Sequence, residues 1–257
     1  MIPKKIHYCW VGGNPLPESA KKCIRSWKKY CPDYEIIEWN ETNYDFTKKA
    51  YMKEAYEAKK WGFVPDYARL DIIYEHGGIY LDVDVEVVKS FDDLLEHAGF
   101  AGFETEEYVN FGQGFGAEAK NPLIKNLLNS YEKLQFINPD GSLNLIASPE
   151  LNTEVLKECG LVCNGETQMI NGFTILPSDF LCPKSLYDGI IRQTYNTYSI
   201  HHFESTWFTK EQQQEKFKRW KEKQRKIQIK QIRTSIKNIG IKILGEKSYK
   251  KLRGIKE

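Results

Sequence analysis

The 257-residue chain contains no run of 18 apolar residues, no paired Cys-x-x-Cys and no internal repeat or long low-complexity linker. The first absence excludes an ordinary membrane-spanning helix, the second a zinc knuckle, and the third a solenoid. The opening stretch Met1-Ile2-Pro3-Lys4-Lys5-Ile6-His7 passes into a mixed strand without an apolar signal segment, so a soluble protein not secreted by that route is expected. Six cysteines at irregular spacings (Cys9, Cys23, Cys31, Cys159, Cys163, Cys182) lack the density of a disulfide scaffold. Reduced, mostly buried thiols in a cytoplasmic protein are the expectation. There is also little net charge, because 37 Lys and Arg against 35 Asp and Glu leave +2. That near-balance conceals an asymmetry: residues 1–208 carry 20 basic and 30 acidic side chains, net −10, while residues 209–257 carry 17 and 5, net +12.

With 41% apolar and 13% aromatic residues, the chain can bury one substantial core. The expected division is a catalytic domain over 1–208 and a basic, amphipathic helical tail over 209–257. Residues 4–11 read as a strand followed by Gly12-Gly13, then a helix from about Pro17 to Tyr30. Tyr34 to Trp39 read as a second strand and 47–60 as a second helix. Pro65 suits the first turn of a helix running to about His76, with Asp66 complementing the dipole and Gly77-Gly78 ending it. Asp66 and Arg69, three apart, share a face there. Weaker signals place strands near 99–103, 168–176 and 197–203, helices near 122–135 and 149–159, and a glycine-rich loop at 112–116. Strands alternating with helices argue for a mostly parallel sheet covered on both faces, with ligands at the carboxyl ends of its strands.

The segment with most chemistry is Gly77-Gly78-Ile79-Tyr80-Leu81-Asp82-Val83-Asp84-Val85-Glu86-Val87. Read as one strand, it puts Ile79, Leu81, Val83, Val85 and Val87 on one face and Tyr80, Asp82, Asp84 and Glu86 on the other. Asp82 and Asp84 would then be about 7 Å apart. Two carboxylates side by side repel unless a cation lies between them, and oxygen ligands suit a hard ion such as Mg²⁺ or Mn²⁺. An EF-hand is excluded, since neither Asp is followed by Gly at the sixth and Glu at the twelfth position. His7 reads as a hydrogen-bonded core histidine.

Three blocks in order, Ile2-Pro3-Lys4-Lys5-Ile6-His7-Tyr8-Cys9-Trp10 with Gly12-Gly13, then Asp66-Tyr67-Ala68-Arg69, then Gly77 to Asp84, resemble glycosyltransferase family 32. The core of that family is similar to the catalytic domain of the large clostridial glucosylating toxins. The match covers about residues 1–105 and reappears at His201-His202-Phe203-Glu204-Ser205-Thr206-Trp207. The resemblance implies a type A glycosyltransferase fold, a nucleotide-sugar donor, Mn²⁺ or Mg²⁺, and transfer with retention. By the same resemblance Trp10 stacks on the nucleobase, Asp66 and Arg69 hold ribose and donor sugar, and Asp82 contacts both. Asp84 binds the metal directly, Ser205 lies near the metal and Trp207 donates to the diphosphate. The expected catalytic set is Asp82, Asp84, Arg69 and Trp207. The expected metal set is Asp84 and Asp82 with Ser205 and His202, although His201 could also reach the ion. Asn110 to Gly114 is expected to line the reaction centre.

Such an enzyme would move a hexose or N-acetylhexosamine, from a UDP-linked or alternatively GDP-mannose donor, to a glycan or lipid-linked acceptor in bacterial surface polysaccharide synthesis. An aspartyl phosphatase would need Thr or Ser two residues after the second Asp, where Glu86 stands. A glycosidase would need carboxylates flanking the bond instead of adjacent on one strand. A membrane-surface adaptor would leave the ordered blocks without a role. In the tail, Ile229, Ile232, Ile236, Ile239 and Ile243 form a stripe among Lys and Arg. The stripe fits an anionic membrane surface, a coiled-coil seam or a helix docked on the acidic body. The first makes the protein peripheral on the inner face of the cell membrane. Nucleic acid is not an expected partner, because few base-stacking aromatics accompany the basic residues.

Overall fold

The computed structural model describes residues 1–186 and 188–204, with positions 225, 229 and 242 alone beyond them. The chain divides into two units, Met1–Trp207 and Phe208–Glu257. Expectations placed on Ser205, Trp207 and the basic tail lie outside the described residues. No helix among the described residues is long and apolar enough to cross a membrane.

The chain opens β1 (Lys5–Cys9), α1 (Glu18–Tyr30), β2 (Glu35–Trp39), α2 (Ala50–Glu57), α3 (Val64–His76) and β3 (Gly78–Tyr80). There follow β4 (Val85–Val87), β5 (Gly99–Thr105), β6 (Tyr108–Asn110), β7 (Phe115–Ala117), α4 (Pro122–Ser130) and α5 (Ser148–Glu158). The rest is β8 (Gln168–Ile170), β9 (Phe173–Leu176), α6 (Ser178–Leu181) and β10 (Ser199–His201). The main sheet has the order β2-β1-β3-β7-β5-β9-β8, with β6 on β5, and β10 pairs with β4 in a second, two-stranded sheet. β2, β1 and β3 run parallel, as do β5 and β9, while β7, β6 and β8 pair antiparallel with their neighbours.

Successive side chains leave a strand on opposite faces, and two apolar cores follow from that rule. Cys9, Tyr80, Ala101, Phe103, Phe115, Phe173 and Ile175 join one core with α2, α3, α4 and α5. Ile6, Tyr8, Ile79, Phe100 and Leu176 join the other with α1, β4 and Leu181 of α6. Each fully buried Phe contributes about 1.5–3 kcal/mol by leaving water. On α1, Ala20, Cys23 and Trp27 recur at helical spacing and are buried, and the Trp27 indole N–H donates to the Val85 carbonyl at 2.7 Å. That bond ties the second sheet to the helix behind it.

Two expected strands are each two strands. The expected strand near 168–176 is a hairpin in which Asn171 (φ 51°) and Gly172 (φ 82°) take the left-handed conformation a two-residue turn requires. The expected strand through Asp82 and Asp84 stops at Tyr80 and resumes at Val85. The period of two is real, since Leu81, Val83, Val85 and Val87 are all buried in the second core. The ladder breaks because β3 pairs with β1 and β7 whereas β4 pairs with β10.

Candidate active site

β1, β2 and β3 are parallel, so their carboxyl ends share one edge of the sheet, and Trp10 and Asp82 follow β1 and β3 there. Helix α3 feeds β3, which runs to this edge. Pro65 occupies its first turn, and Gly77 leaves it with φ 63° while its N–H bonds the Ile73 carbonyl. Gly78 follows at φ 105°, and a Cβ there would lie 2.8 Å from His7 Nε2 and 2.9 Å from the Lys5 carbonyl. The glycine pair is thus what lets α3 turn directly into β3.

Beyond Tyr80 the backbone turns, with Val85 N–H donating to the Asp82 carbonyl at 3.0 Å. The turn directs both carboxylates inward, so they converge instead of standing along a flat strand. On the next sheet His201 pairs with Val85, which puts its ring beside Asp84. One ligand atom each from Asp82, Asp84 and His201 lie within 4.8 Å of one another. His202, the expected ligand, points elsewhere: its Nε2 lies 2.9 Å from Glu86 Oε2. His201 therefore replaces His202 in this cluster, because alternation along β10 turns neighbouring side chains to opposite sides.

Each carboxylate has its own cation. Arg69 Nη2 lies 3.0 Å from Asp66 Oδ1 and 3.6 Å from Asp82 Oδ1. The Tyr80 hydroxyl donates to Asp82 Oδ1 at 3.1 Å. Asp84 Oδ2 accepts the Glu204 N–H at 2.9 Å, while Oδ1 lies 3.3 Å from His201 Nε2. Burial raises the Asp82 carboxyl, Arg69 opposes the rise and Asp84 adds to it. Burial likewise lifts Asp66 to about 6, against the pull of Arg69 and the Ser148 hydroxyl. Burial disfavours the Arg69 charge, but Asp82 and Asp66 outweigh it and hold the guanidinium protonated.

Gly112 closes the site from the opposite side. Its carbonyl accepts the Asp82 N–H at 3.0 Å and its N–H donates to Asn110 Oδ1 at 2.7 Å. A Cβ on Gly112 would lie 2.3 Å from Asp82 Oδ2 and 2.7 Å from Arg69 Nη1. Trp10, half-buried just past β1, donates its indole N–H to the Asn14 carbonyl. His7 is a core residue: Nε2 bonds the Gly77 carbonyl, Nδ1 accepts the Trp39 indole N–H, and burial lowers its pKa to about 4.

A divalent ion fits the Asp82–Asp84–His201 cluster. Asp84 Oδ1 is buried and, among the described residues, its one close polar neighbour is His201 Nε2 at 3.3 Å. Ligands 2.1 Å from an octahedral ion are about 3.0 Å apart when adjacent and about 4.2 Å when opposite, and the 3.3 Å Asp84–His201 separation suits the former. Two carboxylates with one imidazole suit Mn²⁺ somewhat better than Mg²⁺.

Without an ion, a proton on His201 does the same work. Burial pulls the His201 pKa down, but the facing Asp84 carboxylate outweighs it and holds the pKa well above 6.5. Burial would raise Asp84, yet the His201 charge and the Glu204 N–H bring it down to about 2. The raised histidine stabilises the fold below its unfolded pKa of 6.5, and that contribution is lost as pH rises through the folded value. The depressed aspartate stabilises above 3.8, and its contribution is lost as pH falls through about 2. Thermal melts in EDTA should therefore show stability falling on the alkaline side, with the fall absent in His201→Gln. Parallel alkaline profiles for the two proteins would disprove the pairing.

Residues 17–101 match the glycosyltransferase sugar-binding region containing the DXD motif, and Asp82-Val83-Asp84 is that motif in this chain. The match takes in about a third of the chain, 85 of its 257 residues, and there the chain is similar to this glycosyltransferase family. Inositol phosphoceramide mannosyltransferase 1 of Schizosaccharomyces pombe is 28% identical over 143 residues, 51% of this chain. The match spans 43% of that relative, less than half its length. A glycosyltransferase of Acanthamoeba polyphaga mimivirus, L373, is 25% identical over 200 residues, covering 73% of this chain and 76% of its own. The solved PaToxG glycosyltransferase superposes with a TM-score of 0.47 at 21% identity, covering 61% of this chain and 68% of its own. The mixed sheet carries helices on both faces and the Asp pair at a strand end, the place where the sequence leads one to expect a ligand.

Sequence reasoning reached Asp66, Arg69, Asp82 and Asp84, which the structure brings together. Gly112 falls in the Asn110 to Gly114 segment expected to line the reaction centre, and it lies against Asp82. The role of Tyr80 was not reached, although its signal is its place two residues before Asp82 on one strand face.

Proposed function

We propose that this protein is a glycosyltransferase that moves a hexose or N-acetylhexosamine from a nucleoside diphosphate sugar to a glycan or lipid-linked acceptor, with a divalent ion and with retention. The convergence of Asp82, Asp84 and His201 beside the Asp66–Arg69 pair carries this reading. A bound Mn²⁺ or Mg²⁺ supplies Lewis-acid stabilisation of the negative charge that develops on a nucleoside diphosphate as it leaves. Asp84 and His201 would hold that ion, with Asp82 turned by Tyr80 and Arg69 toward both ion and donor. Arg69 offers a planar fork of N–H donors to sugar or ribose hydroxyls, which Lys would not reproduce. Burial of Asp66, Arg69, Asp84 and His201 limits the water that can compete for the sugar.

Trp10, at the same sheet edge, suits the nucleobase. Stacking on an aromatic ring is worth about 1–3 kcal/mol per base and tolerates several bases. Trp10→Ala should therefore weaken nucleoside diphosphate binding by roughly that amount while sparing ion binding, as titration calorimetry would read. An unchanged nucleotide affinity would return Trp10 to a packing role.

The names of yeast relatives favour mannose as the sugar, whereas the sequence expectation was a UDP-linked donor with GDP-mannose as the alternative. Nucleotide release from UDP- and GDP-sugars, with Mn²⁺ and with EDTA, separates these donors. Ion-dependent release from one donor supports the reading, and ion-independent phosphate release from simple esters would favour the phosphatase instead. The net +12 of residues 209–257 supports a place on an anionic membrane, where lipid-linked acceptors of surface polysaccharide synthesis would lie.

A further inference from the structure

Buried polar atoms without partners cost stability, so each calls for an explanation. Among the described residues these atoms are Asp84 Oδ1 and His201 Nδ1 at the ion cluster, Gln113 Oε1, the Tyr131 hydroxyl, and both amide atoms of Asn152. Gln113 is anchored in the sheet, since its Nε2 donates to the carbonyls of Gly102 and Phe103 at 2.9 and 3.1 Å. Asn152 is different. Its side chain can accept two hydrogen bonds and donate two, it is 0% exposed, and neither polar atom is used.

Asn152 stands one turn after Ser148 on α5, so the two share a helix face. The Ser148 hydroxyl faces the Asp66 carboxylate. Tyr131 immediately follows α4, with its ring edge-on to Tyr67 of α3 at 5.8 Å and to Tyr51 of α2 at 5.3 Å. Its electrostatic neighbours are Asp66 and Arg69. Tyr131 thus faces the Asp66–Arg69 pair from the end of α4, and Asn152 lies on the α5 face whose Ser148 reaches Asp66, whereas Asp84 and His201 lie beyond Asp82. Asn152 is as fully buried as Asp66 and Arg69, which are 3% and 4% exposed.

An amide and a phenol are neutral groups that both donate and accept. A phosphate would want cations, and an apolar chain would want neither group. A sugar ring, each of whose hydroxyls both donates and accepts, matches them. We propose that Asn152 and Tyr131 read the hydroxyl pattern of the donor's sugar ring and so set which sugar is transferred, an inference that rests on the nucleotide-sugar reading above.

The test uses the full chain with Mn²⁺ and compares wild type, Asn152→Ala, Asn152→Leu and Tyr131→Phe. Calorimetry measures the affinity for a nucleoside diphosphate alone and for nucleotide sugars sharing that nucleotide but differing in the configuration of one hydroxyl. Asn152→Ala should weaken nucleotide-sugar binding about tenfold, the equivalent of one or two neutral hydrogen bonds. It should also flatten the preference among epimers, while leaving the bare nucleotide within about twofold. Tyr131→Phe should act in the same direction by a smaller factor. Should Asn152→Ala fail to fold, Asn152→Leu, similar in volume, and Tyr131→Phe carry the comparison. Variants that keep the wild-type epimer preference overturn the inference, most plainly if Asn152→Leu simply melts higher. If the wild type binds no nucleotide sugar, the functional reading fails first and takes this inference with it.

Discussion

Asp84→Ala is expected to lower donor hydrolysis and transfer by at least about 10²–10³-fold, because it removes an ion ligand at the point where leaving-group charge must be stabilised. The fold should persist, since Asp84 lies in a turn between strands and its carboxylate meets His201 and the Glu204 N–H, not the apolar cores. Relief of repulsion from Asp82 would suggest a gain in stability for the ion-free mutant. The geometry argues otherwise, because Asp82 faces Arg69 and Asp84 faces His201. Removing Asp84 leaves His201 buried without a counter-charge, so the ring must give up its proton and the EDTA-treated variant should melt lower than wild type. Full activity in Asp84→Ala, with far-ultraviolet circular dichroism unchanged, would refute its role as a ligand.

Gly112→Ala should be nearly as damaging, although it adds only a methyl group and changes no charge. The new Cβ would need space now filled by Asp82 Oδ2 and Arg69 Nη1. Both side chains are held: Asp82 by Tyr80, and Arg69 by Asp66 and by a bond from its Nε to the Pro65 carbonyl at 3.1 Å. They can make room only by leaving their present positions. A displacement of about 1 Å at a reacting centre costs on the order of 10²-fold, and that loss is expected in kcat/KM for donor hydrolysis. The melting temperature should move less, because the clash falls on side chains at the site and not on the core Phe residues. Wild-type kcat/KM in a folded Gly112→Ala protein would mean that Asp82 and Arg69 need not hold this arrangement.

The opening of the fold was legible because local signals agreed there. The apolar spacing of Ala20, Cys23 and Trp27, the Pro65 start of α3 and its Gly77 end each have a physical cause within a few residues. Asp66 and Arg69 followed from helical spacing, and Asp82 and Asp84 from the alternation around them. What failed depended on distant pairing. Whether His201 or His202 faces the Asp pair is fixed by the register of β10 against β4, more than 100 residues apart in sequence. The break between β3 and β4 arises because the two strands serve different sheets. Tyr131 and Ser148 reach Asp66 only through the packing of α4 and α5. The hairpin at Asn171-Gly172 is the exception, since that dipeptide is itself a turn signal.

The account rests on an ion held by Asp84 and His201 beside Asp82. Its most direct test is a crystal grown with Mn²⁺ and a nucleoside diphosphate, with data collected at the manganese absorption edge. The account predicts one strong anomalous peak within coordinating distance of Asp84 and His201, lost in crystals of Asp84→Ala. A peak bound only by Glu86 and His202, or none at the Asp82–Asp84 turn in well-ordered crystals, would contradict it.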